Sequence, residues 1–367
     1  MCKAFLSIII VLNMLSLSAA AISAKSAILI DSNSGRILYE HNAYEKLPMA
    51  STTKIMTGLL SCESEKLEKS VKASPFASGT EGSSLWLKIG EKQTLENLTY
   101  GLMLKSGNDA AVAIAEYIGG SVDAFALLMN KKAREIGATS TNFENPHGLD
   151  SKEHYTTAYD LALIAREAMK NEKFREIVAT KTYSIPMQGE PWDRAFKNHN
   201  KLLWNYEGCN GVKTGYTKKS GRCLVSSASK GNEELICVTL NAPQDWDDHT
   251  KLLNYGFDNF ETITVFKKGS CVKTITYDKK YDRKVKILCD EDFLVSVNKN
   301  DVVTTRIKTN KIKYPAEKGS PAGYGYVYCN GKEIGKVTLV TEKEIKNITI
   351  SERIRFLLKK VKVNFLQ

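Results

Sequence analysis

The chain has 367 residues, with 52 Lys and Arg against 41 Asp and Glu, a formal net charge of +11 and a pI near 9.0. This length predicts two domains, or one large domain with an appendage. Hydrophobic residues make up 43% and charged residues 25%, a globular composition that excludes a disordered, collagen-like or polytopic membrane protein. The positive charge leaves nucleic acid, an anionic membrane and an anionic cell-wall polymer open as partners.

Residues 1–24 have the pattern of a secretory signal peptide. Lys3 precedes an apolar run over 4–17, and small residues follow up to Ala24. One positive charge, a short apolar stretch and an A-x-A-like end are typical of a segment that is removed on export. The alternative is an uncleaved anchor helix, but such a helix needs roughly 20 apolar residues. We therefore expect an exported protein.

Residues 26–41 have the pattern of a β-hairpin, with apolar runs on either side of a Ser-Asn-Ser-Gly turn. Helical patterns dominate over 51–173, strand patterns return over 211–241, and a helix is predicted from about Asp247 to Gly256. Two strands, a long helical insert, more strands and a closing helix indicate one antiparallel sheet covered by helices. The sequence therefore predicts an α+β domain over residues 25–260.

The composition changes after Phe260, where short β-rich runs are separated by Gly, Asn, Asp and Pro. This pattern predicts a small all-β domain over residues 261–342. A tail over 343–367 follows, with seven cations and two anions. Five apolar residues of the tail share one helical face: Ile354, Leu357, Leu358, Val361 and Phe365. A basic amphipathic helix is typical of a segment in a membrane interface, and the alternative is a terminal helix packed on its own domain.

Eight cysteines occur in the chain, and seven remain without the predicted signal peptide. Their number is odd and no C-x-x-C pair occurs, whereas a metal site or a disulfide framework needs paired or tighter spacing. We therefore assign the cysteines no catalytic role and expect neither a metal nor a cofactor.

Ser51 and Lys54 form an S-x-x-K motif at the start of an apolar helix, directly after Pro48-Met49-Ala50. Because residues three apart project from one face of a helix, the two side chains are expected to meet. A neutral Lys accepts the hydroxyl proton and makes the Ser nucleophilic, and the helix N-terminus favours the charge of an oxyanion. The motif alone is weak, since S-x-x-K also occurs at 227–230 and 296–299.

Ser106 and Asn108 lie in a tight loop between two helical patterns. The spacing S-x-N alone is uninformative, because it recurs at 140–142 and 296–298. As a purely structural feature it supplies a turn and an N-cap for the helix that follows. As a functional feature it places a hydroxyl and an amide opposite Lys54, to relay a proton and to hold a substrate amide.

Lys213, Thr214 and Gly215 form the only K-T-G of the chain, on a predicted strand that continues to Tyr216. Lys213 and Thr214 are able to bind a carboxylate, and Gly215 lets a substrate approach the backbone closely. The backbone N–H of Tyr216, beside Gly215, would complete an oxyanion hole with that of Ser51. The alternative is an ordinary strand end.

The three motifs together, in this order, are a known signature of penicillin-binding proteins and class A β-lactamases. With Gly82-Ser83-Ser84-Leu85-Trp86-Leu87 and His147-Gly148-Leu149-Asp150, the chain resembles the low-molecular-mass penicillin-binding proteins. These are the serine-type D-Ala-D-Ala carboxypeptidases of the peptidoglycan pathway (peptidase S11 family). The resemblance runs from about Lys25 to Val340 and implies a β-lactamase/transpeptidase-like fold for residues 25–260.

The resemblance also implies a mechanism. Ser51 would attack the carbonyl of the penultimate D-Ala of a stem peptide, and Lys54 would take its proton. The leaving D-Ala would be protonated through Lys54 and Ser106, and water would then release the shortened peptide from the acyl-enzyme. β-Lactam antibiotics are expected to be covalent inhibitors.

The same resemblance assigns the substrate-binding groups. Lys213 and Thr214, on the strand of Gly215, would hold the terminal D-Ala carboxylate, and Asn108 would position the acyl amide. The backbone N–H groups of Ser51 and Tyr216 would form the oxyanion hole.

Two histidines and three tryptophans outside the motifs receive separate expectations. His147 is expected to hold a loop rather than to act as a base. His199 lies where members of the family often carry a basic residue near the substrate carboxylate, so this electrostatic contribution would depend on pH. Trp86, Trp192 and Trp204 are expected in the core or in the wall of a groove.

Other functions stay open at this point. A class A β-lactamase needs a deacylating Glu in an E-x-x-x-N-type loop, but Glu144 is followed four residues later by Gly148. A catalytically idle wall-associated scaffold of the same fold is the second alternative. We expect no nucleic-acid partner, because the charge is concentrated in the tail. Both chain ends instead favour attachment to an anionic membrane, at the outer face of the bacterial cytoplasmic membrane.

Overall fold

The computed structural model describes residues 22–278, 280–312, 315–354 and 358. Most of the predicted signal peptide, residues 1–21, lies outside the described residues. So do residues 355–357 and 359–367 of the predicted tail helix.

The first part of the structure contains nine strands. They are β1 Ser26–Asp31, β2 Ile37–His41, β3 Ser70–Lys72, β4 Lys92–Thr94, β5 Thr182–Pro186, β6 Asp193–Lys197, β7 Cys209–Thr217, β8 Gly221–Lys230 and β9 Glu233–Leu240. Five of them form an antiparallel sheet in the order β2-β1-β9-β8-β7, so the first strand of the chain pairs with the last strand of this part. The predicted antiparallel sheet is therefore present, with β7 at its edge.

Helices cover both faces of this sheet. They are α1 Lys54–Glu63, α2 Pro75–Ser78, α3 Leu95–Leu104, α4 Asn108–Gly119, α5 Val122–Ile136, α6 Ala158–Lys170, α7 Glu172–Ala179, α8 Leu202–Asn205 and α9 Asp245–Asn259. Ile28 and Ile30 of β1 pack into the core that holds α1 and α3–α7. Ala27 and Leu29 point to the opposite face, toward α9. A strand that is covered on both sides reads as a continuous apolar run.

Two short hairpins flank the helical layer, β3 with β4 and β5 with β6. The β5–β6 hairpin was not predicted from the sequence. Among the described residues no single helix is long and apolar enough to cross a membrane. By length and composition alone, α4 and α5 pass together as a pair bent by 82°.

A second, all-β part follows α9. Its strands are β10 Glu261–Phe266, β11 Cys271–Asp278, β12 Arg283–Cys289, β13 Phe293–Val297, β14 Val303–Thr309, β15 Pro321–Cys329 and β16 Lys332–Thr341. The order β11-β12-β16-β15-β14 forms one sheet, and β10 pairs with β13. Between β15 and β16, Asn330 and Gly331 adopt positive φ angles of 50° and 79° and turn the chain.

The two parts meet at the turn between β1 and β2. The Asp31 carboxylate accepts a hydrogen bond of 3.0 Å from the Ser296 N–H of β13. Arg36 forms an ion pair of 2.7 Å with Asp301 and also donates to the Ser296 carbonyl. The all-β part is thus held against the sheet by groups of the first hairpin.

Candidate active site

A cleft of about 900 Å³ opens along the edge strand β7. Five of the eight residues predicted to carry catalysis or substrate binding line it, namely Ser51, Ser106, Thr214, Gly215 and Tyr216. The other three predicted residues, Lys54, Asn108 and Lys213, are buried behind this wall. The fold therefore brings residues from three distant segments of the chain to one place.

Ser51 lies in a 3-10 turn, Ala50–Thr53, that leads directly into α1. Ala50 has a φ of +48°, in the left-handed region that residues with a side chain rarely adopt. The Thr52 hydroxyl donates to the Met49 carbonyl at 2.6 Å, and the Thr53 hydroxyl to the Ala50 carbonyl at 2.8 Å. Strained backbone of this kind is found where a functional group must be aimed.

Lys54 has three hydrogen-bond partners, and the donors and acceptors among them bear on the protonation state of its amine. Its Nζ lies 2.9 Å from Ser51 Oγ, 2.7 Å from Asn108 Oδ1 and 2.6 Å from the His147 carbonyl. Asn108 is oriented by its own Nδ2, which donates to the Glu81 carbonyl at 2.6 Å, so Oδ1 faces Lys54. Two of the partners are therefore acceptors only, whereas the Ser51 hydroxyl is able to donate.

Burial is the main cause that sets the protonation of Lys54. Its side chain is fully buried, and this desolvation lowers its pKa well below the usual value. The neighbouring Lys213 lowers the pKa further, and Asp109 opposes the shift. A neutral amine has two N–H bonds and one lone pair. Asn108 and His147 would take the two N–H bonds, which leaves the lone pair for the proton of Ser51.

The first turn of α4 organises the wall opposite Ser51. The Asp109 carboxylate accepts from the Leu85 N–H at 2.9 Å, from the Leu87 N–H at 3.1 Å and from the Ser84 hydroxyl at 2.7 Å.

Ser106 has a φ of +66°, and its hydroxyl is buried without a hydrogen-bond partner among the described residues. This hydroxyl, at the wall of the cleft, is therefore available to bond a ligand.

Asn108 was expected to position the acyl amide of the substrate. In the structure both ends of its side-chain amide are bonded within the protein, to Lys54 and to Glu81. The observed position of Asn108 is that of a support for Lys54. Its contact with the substrate stays a prediction.

Strand β7 carries the K-T-G residues along the cleft. Lys213 is buried, its Nζ donates to the Thr214 carbonyl at 3.0 Å, and desolvation lowers its pKa to about 7. A Cβ added at Gly215 would lie 3.0 Å from the Ser51 nitrogen, so this glycine lets the strand approach the nucleophile turn. Tyr216 exposes its side chain, which leaves its backbone as the part relevant to the prediction.

His147 holds a loop, as expected. Its Nδ1 accepts from the Leu149 N–H at 3.1 Å, while its carbonyl receives Lys54. Burial, together with Lys54 and His154, lowers the pKa of His147 to about 3. The backbone carbonyl of His147 is a site group that was missed, because a backbone acceptor has no signature in the residue type.

His199 lines the cleft, as the resemblance implied. Desolvation lowers its pKa to about 4, with contributions from Lys213 and Lys105, so it is neutral in the empty site at pH 7. Lys197 and Lys201 line the cleft as well and were not predicted. They make the cleft cationic even without His199.

A second unpredicted group lies across from Tyr216. Arg222 forms an ion pair of 2.9 Å with Asp245 and lies over the Trp246 ring at 5.8 Å. Because Tyr216 and Arg222 are partners in the β7–β8 hairpin, the strand register could have placed Arg222 at the cleft. Trp204 lines the cleft as expected. Trp86 and Trp192 are 77% and 61% exposed and do not line this cleft, so of the two expected positions, core or groove wall, the core is excluded for both.

The described residues contain no group of three or more His, Cys, Asp or Glu side chains that could hold a metal ion.

Comparisons with known proteins agree in both parts of the chain. The sequence model of a family described as D-alanyl-D-alanine carboxypeptidase, Peptidase S11, matches residues 13–244. A second model, described as the C-terminal domain of penicillin-binding protein 5, matches residues 260–347. The chain is 35% identical over 343 residues to the D-alanyl-D-alanine carboxypeptidase DacF of Bacillus subtilis, which covers 90% of this chain and 87% of that protein. It is 32% identical over 349 residues to DacC of Escherichia coli, over 89% and 86%.

Solved structures give the same result. The fold is similar to that of penicillin-binding protein 5 from Haemophilus influenzae, with a TM-score of 0.74, 29% identity and coverage of 89% of this chain and 98% of that one. A mutant of the Streptomyces K15 DD-transpeptidase is similar with a TM-score of 0.62, 34% identity and coverage of 65% of this chain and 99% of that one.

Proposed function

The chain belongs to the Peptidase S11 family of serine D-alanyl-D-alanine carboxypeptidases, and we propose that Ser51 is its nucleophile and Lys54 its general base. The observation that carries this assignment is the set of partners around Lys54 Nζ. Two obligate acceptors face its N–H bonds, and burial lowers its pKa, which favours the neutral amine. Its lone pair is then directed at Ser51 Oγ, 2.9 Å away, within reach for proton transfer.

The reaction follows from these positions. Ser51 Oγ bonds to the carbonyl carbon of the penultimate D-Ala while its proton passes to Lys54. The N–H groups of Ser51 and Tyr216 stabilise the negative oxygen that develops. Lys54, with Ser106, returns the proton to the nitrogen of the leaving D-Ala, and the C–N bond breaks. Water then attacks the ester on Ser51 and releases the shortened stem peptide.

The substrate is held by groups on both walls of the cleft. Lys213 and Thr214 bind the terminal carboxylate, and Gly215 allows the peptide to lie against the strand. Asn108 contributes to the position of the acyl amide besides holding Lys54. A β-lactam carries a carboxylate and a reactive amide in the same relation, so it acylates Ser51 as a covalent inhibitor.

The same proposal includes the organisation of the chain. Residues 1–24 are a signal peptide, 25–260 the peptidase domain and 261–342 a separate β domain. Residues 343–367 form a basic amphipathic helix. With this helix bound to anionic lipid, the enzyme works at the outer face of the bacterial cytoplasmic membrane. The support is the charge and apolar pattern of the two chain ends.

The assignment of Ser51 is tested by intact mass after incubation of the purified protein with a penicillin. We expect an adduct of one penicillin on the wild-type protein and none on Ser51→Ala. Ser227→Ala is a matched control, since Ser227 begins a second S-x-x-K but lies buried on β8. This variant should be acylated like the wild type.

Each other result would favour a different function. An adduct on Ser51→Ala would exclude Ser51 as the nucleophile. Rapid hydrolysis of penicillin without an adduct would indicate a β-lactamase, and a folded protein with neither would indicate a scaffold. Because one structural relative is named a DD-transpeptidase, the peptide assay should include a D-amino acid as an acceptor, so that an exchanged product is detected by its mass.

A further inference from the structure

His154 is a buried histidine that none of the catalytic roles above uses. The Glu144 N–H donates to its Nδ1 at 3.0 Å, and a backbone N–H is only a donor. Nδ1 is therefore the acceptor, and the ring proton is on Nε2. Nε2 lies 2.8 Å from the Thr53 hydroxyl, so it donates to that oxygen.

The hydrogen bonds continue from Thr53 to the turn that carries the nucleophile. Having accepted from His154, the Thr53 hydroxyl directs its own proton to the Ala50 carbonyl, 2.8 Å away. The peptide between Ala50 and Ser51 is thus held at its oxygen. This is the point at which φ of Ala50 is +48°, a conformation that the chain does not keep without support.

The loop on the other side of Ala50 reinforces this contact. A Cβ added at Gly148 would lie 1.9 Å from the Ala50 carbonyl oxygen and 2.8 Å from Thr53 Oγ1. Gly148, in the segment between Glu144 and His154, therefore packs closely against the same oxygen that Thr53 holds. Burial lowers the pKa of His154 to about 4, so the ring keeps one donor and one acceptor at neutral pH.

We propose that His154 is a positioning residue for acylation, which acts through Thr53 to hold the left-handed turn at Ala50 and thereby aims Ser51 at the substrate carbonyl. This inference rests on the proposed role of Ser51. His154 does not touch the substrate, because its two ring nitrogens are bonded to Glu144 and Thr53. Replacing His154 should slow the covalent step and leave the affinity of the preceding non-covalent complex unchanged.

The test separates these two steps with a chromogenic cephalosporin. The observed rate of acylation of the purified protein, measured against cephalosporin concentration, gives a limiting acylation rate and a dissociation constant for the non-covalent complex. His154→Leu should lower the limiting rate by about 100-fold, the size of effect that a displacement near 1 Å of a reacting group produces. The dissociation constant should change by less than about threefold.

Rescue distinguishes positioning from simple packing. His154→Gln offers an oxygen to the Glu144 N–H and an N–H to Thr53, so it should recover most of the limiting rate. Thr53→Val, which keeps the shape and removes the hydroxyl, should be as slow as His154→Leu. The double variant should be no slower than either single one, because both substitutions break the same connection.

His249 provides the matched control. It is also fully buried and bonds two hydroxyls, those of Ser226 and Thr239 at 2.6 and 2.9 Å, but it lies on α9 and does not line the cleft. His249→Leu should lower the thermal midpoint and keep the limiting rate of acylation.

Three results would overturn the inference: a wild-type rate in His154→Leu, a rate in His154→Gln as low as in His154→Leu, or an equal slowing in His249→Leu. If His154→Leu does not fold, Thr53→Val decides alone, and a wild-type rate in that variant would refute the connection. Absence of acylation in the wild-type protein would remove the role of Ser51 and this inference with it. If the inference about His154 fails but the role of Ser51 holds, the wild-type protein is still acylated.

Discussion

Replacing Asn108 by Asp would place a carboxylate beside the amine that we propose as the general base. The change is nearly isosteric, and the oxygen next to Lys54 stays 2.7 Å from Nζ. Two things change: a neutral amide oxygen becomes one oxygen of an anion, and the donor of the bond to the Glu81 carbonyl is lost. An anion at this distance stabilises the protonated form of Lys54 and therefore raises its pKa.

The size of the effect follows from the distance. Two unit charges at 2.7 Å attract by about 1.5 kcal/mol in a water-like dielectric and by about 6 kcal/mol at an effective dielectric of 20. About 1.4 kcal/mol corresponds to a tenfold change in a protonation equilibrium. Even the smaller figure moves the acidic limb of the rate profile upward by about one pH unit.

The sign determines where activity is lost. Lys54 acts as a base only when it is neutral, so activity is absent below its pKa and present above it. Raising this pKa should therefore lower kcat/KM for an acyl-D-Ala-D-Ala peptide at pH 7. The ratio of the variant's kcat/KM to that of the wild type should recover as the pH rises, because Lys213 affects both proteins alike. The assay is release of D-Ala between pH 5 and 10. Asn108→Leu is the control, because it also loses the bond to the Glu81 carbonyl, and it removes the contact with Lys54 without adding a charge.

We expect Asn108→Leu to be slow at every pH, without a displaced profile. If Asn108→Asp kept the wild-type profile, the contact with Lys54 would not govern the protonation of the base. An identical displacement in Asn108→Leu would show that a change in packing, and not charge, moves the profile. Either result would refute the assignment of Lys54 as a neutral base held by Asn108.

Two further predictions concern Gly148 and Lys213. Gly148→Ala should reduce acylation by about 100-fold, because its Cβ would lie 1.9 Å from the Ala50 carbonyl. Gly120→Ala, with a similar φ of +79° and nothing within 4 Å, should keep the acylation rate and would expose the reasoning as wrong if it did not. Since Lys213 has a pKa of about 7 in the empty site, kcat/KM for a peptide with a free carboxylate should fall above that pH, where the amine loses its charge. A peptide with an amidated C-terminus, or the Lys213→Gln variant, should show no such fall.

Much of the fold could be predicted, because its signals are local. The turn residues between β1 and β2 indicated the first hairpin, and the strand patterns over 211–241 indicated β7, β8 and β9. The β5–β6 hairpin gave no such signal, since each of its strands buries a single residue, Ile185 or Phe196. Both strands alternate between exposed and covered positions, but over five residues with one buried side chain each this alternation is a weak signal.

The candidate site was predicted where side chains carry the chemistry. The spacing of Ser51 and Lys54 predicted their contact, and it is present at 2.9 Å. The role of the His147 carbonyl could not be predicted from the sequence, because any residue supplies the same backbone oxygen. The exposure of Trp86 could not be predicted either, because it also depends on backbone groups. Asp109 binds the N–H groups of Leu85 and Leu87 on either side, which turns those side chains inward and the Trp outward.

The strand order gives the site a further property. The nucleophile turn follows β2 at one edge of the sheet, whereas Thr214 and Gly215 lie on β7 at the other, and β1 reaches β7 only through β9 and β8. No contiguous fragment of the chain brings Ser51, Lys54 and Gly215 together before these pairings form. Reactivity toward a penicillin is then a property of the completed tertiary structure. Covalent labelling would count correctly folded molecules in a preparation, and a proteolytic fragment that lacks β9 would not be labelled.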